Sequence, residues 1–395
     1  MEISVTQNLI ISILVFSIGS LLHNQFRWLR KFNIPATVVG GILCSLIVVI
    51  IYITTGREIT FDLSLRDLLL LIFFSTIGLS AKLRTLADGG LALGLMLLIS
   101  VVFLFLQNIA GVSVAYLFGA NPGYGLMAGS ISFAGGFGTA ISWGEVAREA
   151  GLNGATEAGI ACATFGLIAG GLIGCPIAEY LIQKYNLTGS DEELDTTTDV
   201  DSKSSTIPVT LEGMLGTILA LAICVSTGDI VNLWLQTKGL GLPGFLTALF
   251  VGIVLTNLLD LFQKDLNNNA IRLCSDISLE LFLSMSLMSM QLWTLSSSVG
   301  PLLSVVFIQI ILMSLVAYYI VFRVMGKNYD AAVMSGGFVG LGLGATPVAM
   351  ANMNAIVIKY GASPKAFLVI PLLGAFFIDI ANAMILRLFL SLPLF

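Results

Sequence analysis

The chain has 395 residues, of which 57% are hydrophobic and 10% charged, with a net charge of −5 and a mean hydropathy of +0.98. A soluble domain carries about 25% charged residues, so this composition excludes a large soluble enzyme and indicates a polytopic protein whose main partner is the lipid bilayer. The negative charge is concentrated in one loop and implies no nucleic-acid partner, and a single histidine, His23, excludes a His-rich metal site.

A spanning helix needs roughly 20 mostly apolar residues. Ten such stretches lie near 5–24, 35–54, 67–83, 91–118, 155–183, 211–235, 242–262, 276–295, 299–325 and 364–392. The first lacks a basic leader and a small-residue cleavage site, so Leu9–Leu22 is expected to be retained as a helix. Cys44, Cys162, Cys175, Cys224 and Cys274 fall mostly within apolar stretches without CxxC spacing, which suits packing; no transition metal is expected. Asp276 and Glu280 are expected at the start of the eighth helix, where acids suit the helix dipole.

Lys and Arg gather on the cytoplasmic side of membrane proteins. With the N-terminus periplasmic, thirteen of them (Arg27, Arg30, Lys31, Lys82, Arg84, Lys184, Lys203, Lys264, Arg272, Arg323, Lys327, Lys359 and Lys365) fall on the inner side, against five (Arg57, Arg66, Arg148, Lys238 and Arg387) on the outer.

Two stretches between apolar spans are too rich in glycine for lipid-facing helices. Met127–Ala140 reads MAGSISFAGGFGTA and Met334–Asn354 reads MSGGFVGLGLGATPVAMANMN. Unpaired backbone survives at membrane depth only where protein buries it or a wet cavity solvates it. Residues 122–148 and 330–359 are therefore expected to be re-entrant hairpins. Paired broken segments at matching positions of two halves point to a transporter's binding site.

The halves are 1–186 and 208–395. Between them lies an acidic linker, 187–207, with Asp191, Glu192, Glu193, Asp195, Asp199 and Asp201, expected to be a flexible cytoplasmic tether. Pro35 matches Pro243, Asp67–Leu86 matches Asp276–Leu295, Gly136 matches Gly342 and Gly154 matches Gly361, at offsets of 208, 209, 206 and 207. Five spans per half is an odd number, so the halves insert in opposite directions. The fold expected is an all-α polytopic membrane protein of ten transmembrane helices in two inverted five-helix repeats, each with a re-entrant glycine-rich hairpin whose tip reaches the midplane.

Helix N-termini at such tips offer partial positive charge and unpaired N–H groups to a carboxylate. Gly135, Gly136, Gly138, Gly342 and Gly344 let a ligand approach the backbone closely. Ser130, Ser132, Thr139 and Thr346 add hydroxyls, and Pro347 stops a continuous helix. Asp379, near the middle of the last span with Asn382 one turn on, is the sharpest single candidate, because a carboxylate at bilayer depth must face an ion, a partner or water. It suits sodium or a substrate ammonium group. Asn352 could add an amide contact or start a helix. A sodium ion would draw on Ser130, Gly340, Thr346 and Asp379. Arg387, eight residues after Asp379, could pair with a substrate carboxylate or snorkel to the surface. Gly166, Gly170 and Gly174, at four-residue spacing, read as a packing stripe.

The motifs AGGFGTA (Ala134–Ala140) and GLGLGATP (Gly340–Pro347) resemble the paired glycine motifs of the bacterial sodium/glutamate symporters. The resemblance extends over the two halves and the central linker. It implies sodium-coupled uptake of L-glutamate in the cell inner membrane, by an elevator motion of a homodimer. The hairpins with the fourth, fifth, ninth and tenth helices would be the moving unit. Phe137 departs from the polar residue that the family often carries between those glycines, which bears on substrate choice. A carrier of another organic anion, such as a di- or tricarboxylate, coupled to sodium or protons, is the alternative. No HExxH, paired catalytic acids or Ser-His arrangement suggests an enzyme.

Overall fold

The structure is a computed structural model describing residues 2–31, 34–56, 59–82, 84–189, 209–238, 242–290 and 299–390. The acidic part of the linker lies outside the described residues, as do Arg57, Lys203 and the end of the predicted 276–295 span. Among the described residues, seven helices are long and apolar enough to cross a membrane: Val5–Gln25, Ala36–Thr55, Gly90–Leu117, Ala155–Tyr185, Leu211–Thr237, Gly244–Leu261 and Leu302–Val324. The other three predicted spans coincide with helices Ser64–Ser80 and Asn268–Met288 and with the run from Pro364 to Leu390. Helix Asn268–Met288 starts earlier than expected because the Asn267 side chain accepts from Ala270 N at 3.1 Å and caps it. Glu280 therefore sits well inside the helix rather than in its first turn.

The chain forms two compact units, each assembled from both halves of the sequence. One comprises Met1–Gln25, Pro35–Thr85 and Asp195–Met290; the other Phe26–Ile34, Leu86–Leu194 and Gln291–Phe395. The first unit holds the first, second, third, sixth, seventh and eighth predicted spans. The second holds the fourth, fifth, ninth and tenth, with both glycine-rich segments.

Within the first unit the helices meet through glycine. A Cβ on Gly19 would lie 2.0 Å from the Ala36 carbonyl oxygen, and one on Gly40 would lie 2.1 Å from that of Val15, so helices Val5–Gln25 and Ala36–Thr55 touch backbone to backbone. Gly78 makes the same kind of approach to the Leu249 carbonyl, at 2.2 Å, and Gly41 approaches Leu287 Cβ at 2.3 Å. Small residues at helix contacts replace the hydrophobic driving force that lipid removes. Two short strands, Glu2–Ile3 and Thr60–Phe61, pair in parallel, and Lys82 bonds Asp265 at 2.5 Å.

In the second unit each glycine-rich segment is a helix, a break and a helix. The first runs Pro122–Leu126, a π turn Met127–Ile131, then Gly136–Glu149. The break lies at Ala128 and Gly129, whose ψ angles are 17° and −139°. The second runs Tyr329–Leu343 and Thr346–Tyr360, broken at Gly344 and Ala345. At the base of the first, the Tyr124 hydroxyl donates to the Asn153 carbonyl. At the base of the second, the Tyr329 hydroxyl donates to the Gly361 carbonyl at 2.5 Å. The stripe Gly166, Gly170 and Gly174 packs against the second segment: Cβ atoms there would lie 2.3 Å from the Leu343 carbonyl, 3.4 Å from Leu343 Cβ and 2.1 Å from Asn352 Nδ2. The last run contains a π turn, Leu373–Phe377, just after Pro371, which lacks the N–H of a regular α turn.

Candidate functional site

The two breaks come together. Gly136 has φ +68°, a left-handed conformation that glycine adopts at little cost, and a Cβ there would lie 3.6 Å from the Gly344 carbonyl oxygen. Each break opens a helix whose N-terminus has no side-chain cap, at Gly136 and at Thr346. Gly135 and Gly136 are partly exposed, as are Ala345 and Thr346. Two uncapped N-termini thus converge, and a carboxylate is the ligand such ends favour.

The last run, Pro364–Leu390, passes both breaks. Its Gly374 carbonyl accepts from Thr346 Oγ1 at 3.3 Å. Its Asn382 donates from Nδ2 to the Ser130 carbonyl at 3.0 Å, and Asn382 Oδ1 lies 2.5 Å from Ser130 Oγ. Asp379 stands between these two contact points, half-buried, with no hydrogen-bond or ion-pair partner among the described residues. The π turn directly before it widens the helix there. Such bulges are frequent at functional sites.

Ser130 is the best-connected polar group of the first break. Its N–H and its Oγ both reach Asn108 Oδ1 at 3.0 Å, and its carbonyl also accepts from Gly135 N at 3.0 Å. Three side-chain oxygens surround a single hydroxyl proton, beside backbone freed by the break. That oxygen-rich set suits a hard monovalent cation of the kind unwound segments coordinate.

Other predicted residues are placed differently. Ser132 Oγ donates back to the Met127 carbonyl, and the Gly138 carbonyl accepts from Ser142 Oγ. Thr139 closes over Gly135, whose Cβ would lie 2.6 Å from Thr139 Cβ. Gly340 packs on Ala349 and Gly342 on Met313 and Phe103. Both Asn352 donors are engaged, at 3.0 Å to the Gly170 carbonyl and 3.2 Å to that of Gly336, so this side chain laces three helices together. Three fully buried amides, Gln107, Asn108 and Gln309, escaped the sequence reading. Their signal was a polar residue in the middle of each apolar run, FLFLQNIAG and VVFIQIILM.

The family model of the sodium/glutamate symporters matches residues 1–362. The chain belongs to the sodium/glutamate symporter family. It is 42% identical over 392 residues to the sodium/glutamate symporter of Escherichia coli (strain K12), covering 98% of this chain and 97% of that protein. It is 38% identical over 392 residues to the one of Haemophilus influenzae, covering 97% of this chain and 96% of that protein. The family model stops short of Asp379 and Asn382, so the last helix joins the candidate site on geometry alone.

Proposed function

We propose that the protein is a secondary active transporter that couples L-glutamate uptake to sodium entry by alternating access. The observation that carries the reading is the convergence of two uncapped helix N-termini, at Gly136 and Thr346, beside an unpartnered Asp379, in a chain of the sodium/glutamate symporter family. It is a carrier and not an enzyme: its partners are a substrate, an ion and the bilayer.

In this reading the backbone at Gly135, Gly136, Gly138 and Gly344, with Thr139, holds a substrate carboxylate. Asp379 meets the ammonium group or a sodium ion, and Asn382 with Thr346 orients the ligand. Sodium takes oxygens from Ser130, Thr346 and Asp379. Ser132, Gly340, Gly342 and Asn352 shape the site from behind. The charges are complementary, because an amino acid with an anionic end and a cationic end meets positive helix ends on one side and a carboxylate on the other.

The same reading takes ten spans in two inverted repeats, 1–186 and 208–395, joined by the cytoplasmic linker 187–207. Packing supports it. The Gly41–Leu287 contact maps onto Leu249–Gly78 when 41 is advanced by 208 and 287 set back by 209, and those two pairs are in contact in the first unit. A tyrosine hydroxyl tied to a carbonyl at the base of each glycine-rich segment, at Tyr124 and Tyr329, is a similar feature at roughly the same spacing. Segments 122–148 and 330–359 would then be re-entrant from opposite faces, with the N-terminus periplasmic in the cell inner membrane. The unit holding both segments would be the elevator, and the other the scaffold of a homodimer.

The test is uptake of labelled L-glutamate into proteoliposomes under an inward sodium gradient, and again with potassium in place of sodium. Uphill accumulation that needs sodium is expected. Equal uptake in both conditions would sink the sodium coupling, and no uptake would sink the glutamate assignment.

A further inference from the structure

Breaking a helix frees carbonyls and N–H groups, and in a buried setting each must find a partner. In the second unit these partners come from amides on two other helices. Gln107, on the helix ending at Leu117, donates from Nε2 to the Gly342 carbonyl of the second segment at 2.9 Å. Its neighbour Asn108 turns to the first segment and takes the Ser130 N–H at 3.0 Å. Gln309, on helix Val299–Leu315, donates from Nε2 to the Ala128 carbonyl at the first break, 3.3 Å away, and to the Gln107 carbonyl at 2.8 Å. All three side chains are fully buried. Gln107 Oε1, Asn108 Nδ2 and Gln309 Oε1 have no partner among the described residues, so these amides are held in place through their other ends.

We propose that Gln107 and Gln309 are positioning residues whose amide bridge, donated from Gln309 to the Gln107 carbonyl, holds the two helix breaks in register, so that neither tip relaxes without the other. In the ten-span reading the two glutamines sit on the fourth and ninth spans, which correspond in the two repeats. Each reaches across to the broken segment of the opposite repeat: Gln107 to Gly342 and Gln309 to Ala128. The chain Ala128–Gln309–Gln107–Gly342 is continuous through one side chain, one peptide unit and a second side chain. A leucine at either position keeps the volume and removes the donor, leaving a break carbonyl unpaired. The role of the tips in transport rests on the proposed function; the bridge itself does not.

The experiment is hydrogen–deuterium exchange on the full-length protein without glutamate or sodium, comparing wild type with Gln309→Leu. Among the described residues, the Gln309 side chain hydrogen-bonds the first segment but not the second. Exchange in residues 338–346 is nevertheless expected to rise by about tenfold together with that in 126–135. A rise confined to 126–135, or none, would overturn the bridge. Should Gln309→Leu fail to fold, Gln309→Met takes its place. A second variant, Gln107→Glu, is read by transport relative to wild type at about pH 5.5 and about pH 8. A protonated glutamic acid carries one O–H donor for the Gly342 carbonyl and an ionised one carries none. Relative activity should therefore rise as pH falls, with the glutamate KM moving more than kcat. A ratio independent of pH would count against a positioning role. If wild type itself accumulates no glutamate, the proposed function fails while the exchange measurement still decides the bridge.

Discussion

Gly136 combines a left-handed φ of +68° with an approach to the Gly344 carbonyl. A side chain in the left-handed region costs about 1–2 kcal/mol, so Gly136→Ala should still fold but should lower initial uptake rates at least about tenfold. Gly171→Ala is the control: a Cβ there would meet only Val348 Cγ1, at 3.8 Å, and uptake should not change. Asp379→Asn keeps the size of the side chain and removes its charge. Losing a charge-assisted contact is worth about 1.5–3 kcal/mol, so sodium-driven uptake should fall by roughly ten- to a hundredfold with the amount of folded protein unchanged. Wild-type rates in that variant would remove Asp379 from the site. The glycines and Asp379 could be read from the sequence because each is anomalous at membrane depth. Gln107, Asn108 and Gln309 could not, because a lone amide in an apolar run fits a helix contact equally well, and only the partner atoms distinguish the two. Asn352 is the converse case, a suggestive amide next to a glycine motif that bonds the Gly170 and Gly336 carbonyls.

At the scale of helices, the glycine contacts of the first unit make a paired prediction. A Cβ on Gly78 would lie 2.2 Å from the Leu249 backbone oxygen, which cannot swing away, whereas one on Gly41 meets the Leu287 side chain at 2.3 Å. Overpacking costs about 1–3 kcal/mol. Gly78→Val and Gly41→Val should both lower the melting temperature in detergent, with Gly78→Val the more severe. Equal stability to wild type in both would mean that these contacts do not hold the helices. Helices of this kind were legible because twenty apolar residues admit little else, and the breaks were legible from glycine and Pro347. The π turns Met127–Ile131 and Leu373–Phe377 were not, since one extra residue in a turn leaves no mark on composition. The start of helix Asn268–Met288 was missed because a cap at Asn267 outweighs the polarity of the first turn that follows it.

At the scale of the whole molecule, sodium and glutamate are proposed to bind one unit, at oxygens and helix ends that share Asp379 and Thr346. Sites that share residues are coupled, and the coupling is reciprocal: if sodium tightens glutamate binding by some factor, glutamate tightens sodium binding by the same factor. The partition into two units rests on contacts across the halves of the sequence, and spacing alone could place the breaks without saying which helices pack with them. A ligand that binds only the folded state raises stability by RT ln(1 + [L]/Kd), about 2.7 kcal/mol at a hundred times Kd. Glutamate should thus raise the melting temperature strongly in sodium and weakly in potassium, and sodium should do the same with glutamate present or absent. The two ratios of Kd, measured by titration calorimetry, must agree. In Asp379→Asn both ratios should fall toward one, since a group that serves both ligands carries part of the coupling. If the variant weakens glutamate binding but leaves the ratio intact, Asp379 contacts the substrate alone, and sodium takes its oxygens from Ser130 and Thr346 without it.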